Sequence, residues 1–210
     1  MPKAIYFNDW DQSYIPEILK EIWTDKIYDP IFFGQKDLTI VDVGANIGLA
    51  SLKFGKYGFV YCIEPCKDSF NCLTKTLDSN DIKYKAYNIA LDNKCGKATL
   101  YQSNNSTMNS LCSTYTNGKN EEIELWDFKK FFKESGLKHV DFMKIDVEGT
   151  EFRLLCSQDF IDVCPMIDQL VIEIHQWSNQ NPGQLYNFLK EQGYSVLKLN
   201  TEAHVIYAKR

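Results

Sequence analysis

Short apolar runs and longer mixed segments alternate along most of this chain. Leu38–Val43, Gly58–Glu64, Lys83–Asn88, Val140–Asp146 and Gln169–Ile174 are rich in β-branched or aromatic residues and end at Gly, Pro or a polar group. They read as strands. Between them, Ile47–Tyr57, residues 66–79, about 127–135, Thr150–Ser157 and Pro182–Gln192 carry helical spacing; the last opens with Pro and closes at Gly193. Ile15, Ile18, Leu19, Ile22 and Trp23 predict an amphipathic helix with an aromatic-rich loop over about 13–33. Ala98–Tyr101 and Ile123–Leu125 break the alternation: two strands flank the polar stretch Gln102–Thr107. Two final strands, Tyr194–Leu199 and Ala203–Ala208, are joined too closely for a crossover helix, so the last runs antiparallel.

This order predicts an α/β fold with a mostly parallel sheet covered on both faces, in one domain over 38–210 preceded by an N-terminal segment over 1–37. Ligands in such sheets bind beyond the carboxyl ends of the strands. The unusual polar residues fall there: Asp42, Glu64, Asn88, Asp146, Glu173 and His175.

Composition removes whole classes of function. The formal charge is −5 and no Lys/Arg block stands out, which argues against nucleic acid and anionic membrane as partners. No apolar run is long enough to span a bilayer, and the N-terminus lacks the apolar core of a secretory signal. Seven cysteines without a Cys-x-x-Cys pair are expected to be free thiols in a reducing cytoplasm.

The turn Val41-Asp-Val-Gly-Ala-Asn-Ile-Gly48 stands where a dinucleotide fold places its glycine fingerprint, but Asn46 replaces the middle glycine that lets a pyrophosphate approach. Asp42, two residues before Gly44, would also repel phosphate. A cationic donor with a ribose suits the turn better. Glu64, 20 residues beyond Gly44, stands where an acid accepts ribose hydroxyls. S-adenosylmethionine (SAM) has these features.

VDVGANIG, IEP, NIAL, KIDVEGTEF and EIH, in that order over about residues 38–178, resemble the FkbM family of SAM-dependent methyltransferases. KIDVEGTEF is the most specific of them. The resemblance implies a class I methyltransferase fold, Rossmann-like and doubly wound, with seven strands. It implies SAM as cofactor and O-methylation of a saccharide or a hydroxylated secondary metabolite. By position, Asp42, Gly44, Asn46 and Gly48 would hold the methionine end, Glu64 the ribose, and Asn88 to Ala90 the adenine edge; Ala45 and Pro65 complete this set. Asp146 would border the sulfonium and the acceptor. The N-terminal segment and residues 102–120 match no motif of the family and are where acceptor choice is expected.

Methyl transfer to oxygen requires alignment behind the methyl group and removal of a proton. Asp146, Glu148, Glu173 and His175 are the candidates for that work: Asp146 closest to the reacting centre, as base or positioning acceptor, and His175 with an ordinary pKa near 6.5 that suits proton removal. Glu151 is expected to serve the helix that follows. Asp146, Glu173 and His175 would be the ligands if a divalent cation took part, which is not favoured. Tyr28, Phe32, Phe33 and Trp177 are expected in the core, with stacking on a sugar or capping of the cleft as the alternative, and the 102–110 stretch is either a lid over the acceptor or a disordered surface loop. N-methylation and a non-catalytic SAM-binding module are the alternatives; the acceptor and the oligomeric state are left open.

Overall fold

Ten strands and seven helices are laid out in the computed structural model, which describes residues 2–8, 14–28, 36–103, 109–111, 119–175, 181–200 and 205–210. In chain order they are α1 (Ile15–Leu19), β1 (Leu38–Val43), α2 (Leu49–Phe54), β2 (Gly58–Ile63), α3 (Lys67–Ser79), β3 (Tyr84–Tyr87), β4 (Ala90–Leu91), β5 (Gly96–Tyr101), β6 (Asn120–Trp126), α4 (Phe128–Ser135), β7 (Phe142–Ile145), α5 (Glu151–Leu155), α6 (Gln158–Val163), β8 (Gln169–Glu173), α7 (Pro182–Glu191), β9 (Ser195–Asn200) and β10 (Val205–Lys209).

The main sheet has the order β3-β2-β1-β7-β8-β10-β9. Its first five strands are parallel, and β10 runs antiparallel to both neighbours. The chain winds outward from β1 in both directions, so the β1/β7 boundary is the switch point where such sheets open a crevice. The period-two alternation of strands divides the core. Val41, Val43, Met143 and Ile145 pack with α4 to α7 on one face. Ile40, Phe142, Val60 and Val171 pack with α2, α3 and the N-terminal segment on the other.

Several elements differ from their sequence expectation for local reasons. The N-terminal helix is α-helical only to Leu19, then widens into a π-helical turn over Lys20–Asp25 and stops at left-handed Lys26. Helix α2 starts at Leu49 because Gly48 sits in the left-handed region, φ +88°. The helix expected over Thr150–Ser157 ends at Leu155, and Ser157 caps a further helix, α6, by accepting from the Phe160 N–H. Strands β5 and β6 pair antiparallel and take up β4 in a separate three-stranded sheet, ordered β4-β6-β5. No helix among the described residues is long and apolar enough to cross a membrane.

Candidate active site

The loop after β1 is shaped by its neighbours. Gly44 has φ +74°, and a Cβ there would lie 1.7 Å from the Asp146 carbonyl oxygen, so glycine is demanded by the close approach of β7. Asn46 takes a left-handed φ of +48°, which aims its backbone N–H at Glu64. That N–H and the one of Cys66 donate to the two Glu64 oxygens, each at 2.8 Å. Burial pushes the Glu64 carboxyl up to about 7 although both bonds oppose the rise. Asn88 donates to the Glu64 and Pro65 carbonyls and so pins the end of β2.

Asp42 and Lys144 are in register across β1 and β7, both buried on the same face. Ser51 donates to Asp42 at 2.5 Å, and the Lys144 ammonium lies 3.3 Å from Asp42 and 3.2 Å from Asp146 while donating to the Gly44 carbonyl. Burial lifts the Asp42 carboxyl despite Lys144. Asp146 goes the other way: burial opposes its charge, but Lys144 and His175 outweigh it and hold the carboxyl below its usual range.

The VEG stretch turns sharply. Glu148 is left-handed at φ +53°, a conformation that costs a non-glycine residue about 1–2 kcal/mol. Ser110 holds it by donating to the Glu148 carbonyl at 2.6 Å. Burial, then Asp146, pushes the Glu148 carboxyl up to about 9, and burial and Asp146 likewise bring Glu173 to about 7.

His175 does not have the ordinary imidazole expected of a base. Its Nδ1 lies 2.9 Å from Glu151, and its Nε2 3.3 Å from Glu148 and 3.9 Å from Asp146. Burial alone would lower its pKa, but these carboxylates raise it to about 10. The neighbouring carboxylates thus favour the protonated ring. Glu151, fully buried, also accepts from the Gly149 N–H, so it serves as the histidine's anchor. The atoms that come within 4.8 Å of one another belong to Asp146, Glu148 and His175, with Glu173 turned to Tyr28 instead. This set has Glu148 in the place of Glu173 in the cation set expected from the sequence.

A cavity of about 360 Å³ opens beyond the strand ends. Gly44, Ala45, Asn46, Glu64, Pro65 and Ala90 line it, as do Asp146, Glu148 and Glu173. Asp42, Gly48, Asn88 and His175 are not among its lining residues; they act on it through Lys144, α2, the β2 end and Asp146. Two walls carry no motif. Tyr14, Glu17, Ile18, Glu21, Ile22 and Tyr28 close one side from the N-terminal segment, and Leu100, Asn109 and Leu111 close another from the small sheet. Nothing in the local sequence around Ser110 or Glu21 signals these contacts. Phe32, Phe33 and Trp177 lie outside the described residues, as does much of the 102–110 stretch.

A family profile described as "Methyltransferase FkbM domain" matches residues 42–196. The curated relative "Methyltransferase sdnD" of Sordaria araneosa is 28% identical over 220 residues, covering 88% of this chain and 84% of its own. "Methyltransferase 1" of Beauveria bassiana (strain ARSEF 2860) is 27% identical over 218 residues, covering 92% and 86%. Among solved structures, magnesium protoporphyrin IX methyltransferase (ChlM) from Synechocystis PCC 6803, with bound SAM, has a TM-score of 0.52 at 11% identity, covering 96% of this chain and 80% of that one. A SAM dependent methyltransferase from Aquifex aeolicus has a TM-score of 0.50 at 15% identity, covering 94% and 97%. The structural likenesses establish the fold: a class I methyltransferase sheet with one antiparallel strand near its end.

Proposed function

The chain belongs to the FkbM methyltransferase domain family, and on that premise we propose that it transfers a methyl group from SAM to a hydroxyl of a saccharide or of a glycosylated or hydroxylated secondary metabolite. The charge of the cavity supports this reading best. Six acidic side chains line it, and its single lysine is already matched by Asp42 and Asp146, so no unpaired positive charge faces the ligand. Such a wall disfavours a pyrophosphate and attracts a donor bearing sulfonium and ammonium groups.

The residues fit such a donor. Each Glu64 oxygen accepts one backbone N–H and keeps lone-pair capacity for a ribose hydroxyl. Gly44 to Asn46 would meet the methionine end, and Ala90 with Leu91 the adenine edge. When bound, SAM supplies a methyl group already activated by its positive sulfur.

The chain has to align the acceptor and take its proton. Asp146 is held below the usual carboxylate range by Lys144 and His175, and it lines the cavity. It is the group we assign to the acceptor hydroxyl. Glu148, which holds its proton more tightly than an ordinary carboxyl, would orient the acceptor as a hydrogen-bond donor. His175 acts as a fixed positive charge behind Asp146.

The same acidic wall also welcomes an amine, so N-methylation is the second reading. Calorimetry with SAM, S-adenosylhomocysteine and NAD tests the donor. Incubation with labelled SAM and a panel of glycans, glycosides and amino sugars, scored by mass, tests the acceptor. Binding of SAM and a methylated product that disappears in Asp146→Asn are expected. NAD binding without SAM binding refutes the donor, and full turnover by Asp146→Asn refutes the mechanism. SAM binding with no product anywhere on the panel favours a binding module over an enzyme.

A further inference from the structure

Tyr28 follows the π-helical turn and is buried to 6% exposure, with the Lys144 ammonium 5.2 Å from its ring centroid. Its hydroxyl makes a short hydrogen bond with Glu173 Oε2 and reaches Asp146 Oδ2 at 3.2 Å. A phenol carries one hydrogen. With both carboxylates ionised, one of these contacts would set lone pair against lone pair. Both are satisfied when Glu173 keeps its proton and gives it to the phenol oxygen, which frees the phenol hydrogen for Asp146.

The surroundings favour that distribution. Lys144 from β7 and His175 beyond β8 stabilise the charge on Asp146, while Asp146 itself disfavours a second charge on Glu173. Glu148 from the VEG turn, Glu21 from the π-helical turn and Asp42 from β1 are the other acidic groups near the pair, and burial raises the carboxyl of each. Asp146 Oδ2 is thus held by Lys144 and Tyr28, while Oδ1 is buried and faces His175 Nε2 at 3.9 Å.

We propose that Tyr28 is a positioning residue for Asp146: by binding Oδ2 it fixes the orientation of the carboxylate at the cavity, so the N-terminal segment completes the site as well as covering it. The role rests on the assignment of Asp146 to the acceptor. The bridge itself is tested without SAM or acceptor, so its failure leaves the methyltransferase reading standing, and a failure of SAM binding leaves the bridge standing.

The protein is labelled with carbon-13 at its aspartate carboxyls, and the Asp146 signal is identified by its loss in Asp146→Asn. Tyr28→Phe keeps the ring and removes the hydroxyl. It is expected to move the Asp146 signal more than any other aspartate signal while SAM affinity stays within about twofold of wild type. An Asp146 signal unchanged in the folded Phe variant overturns the proposal. Should that variant not fold, 3-fluorotyrosine at position 28 retains the hydroxyl. Its fluorine signal shifts on Asp146→Asn if the phenol serves Asp146, and an unmoved signal overturns the proposal.

Discussion

Replacing Glu64 with glutamine keeps the shape of the side chain and removes its charge, its titration and half of its acceptor capacity. In the wild type, burial carries the Glu64 midpoint from 4.5 to about 7. A rise of that size means that ionising Glu64 costs roughly 3 kcal/mol more inside the fold than in the unfolded chain. Between the two midpoints the folded protein binds the extra proton. Its contribution to stability is therefore greatest below about 4.5 and declines as pH rises through about 7.

Ribose hydroxyls donating to Glu64 favour the ionised form, so SAM binding is expected to release a proton below about pH 7 and to tighten as pH rises from about 5.5, levelling above about 7.5. Glutamine has one oxygen for the Asn46 and Cys66 N–H groups together, and no charge for the ribose. A charge-assisted hydrogen bond contributes about 1.5–3 kcal/mol, so Glu64→Gln should weaken SAM about ten- to hundredfold and flatten the pH dependence. Titration calorimetry across that pH range measures both. A glutamine variant that binds SAM with wild-type affinity and wild-type pH dependence would refute the assignment of Glu64 to the ribose.

Gly44→Ala places a methyl group against the Asp146 carbonyl and asks alanine to hold φ +74°. A loss of at least about 3 kcal/mol in urea unfolding is expected. His175→Ala leaves Glu151 buried without its cation, and about 3–5 kcal/mol of stability should go with it at neutral pH. The His175 pKa is raised from 6.5 to about 10, so its contribution is full below about 6.5 and is lost as pH climbs through about 10. Melting temperature against pH should accordingly fall over that alkaline range in the wild type and stay flatter in the variant. Ser110→Ala removes the bond to the Glu148 carbonyl, with about 1 kcal/mol lost and faster amide exchange at Glu148 and Gly149.

The elements that were legible in the chain are those whose signal is local. Leu38–Val43 is buried on both faces, so its composition alone marks a central strand. The acids at the ends of β2, β7 and β8 were visible for a related reason: an apolar run that ends in a carboxylate stands out, and in a parallel sheet such ends share one edge. The left-handed turn at Gly44 and the sharp VEG turn also carry their own residue types.

Facing and charge state were settled elsewhere. Asp42 and Val43 are neighbours in sequence, yet the pleat sends Asp42 to Lys144 and Ser51 under α2 and away from the cavity. Sequence position placed His175 on the ligand side with an ordinary pKa. In the fold, Glu151 from α5 and Asp146 beyond β7 favour its protonated form, because a pKa depends on charges and solvent in three dimensions. Tyr28 lies 118 residues from Asp146 and 145 from Glu173, and no periodicity relates positions so far apart.

The sequence by itself determined most of the strands and helices, the mostly parallel sheet and the edge on which the acids gather, since these follow from short-range pattern and chain connectivity. Only the tertiary structure decided which acids face the cavity, which hold protons and which segments wall it in. Those properties arise from packing and electrostatics between groups brought together after the chain has folded.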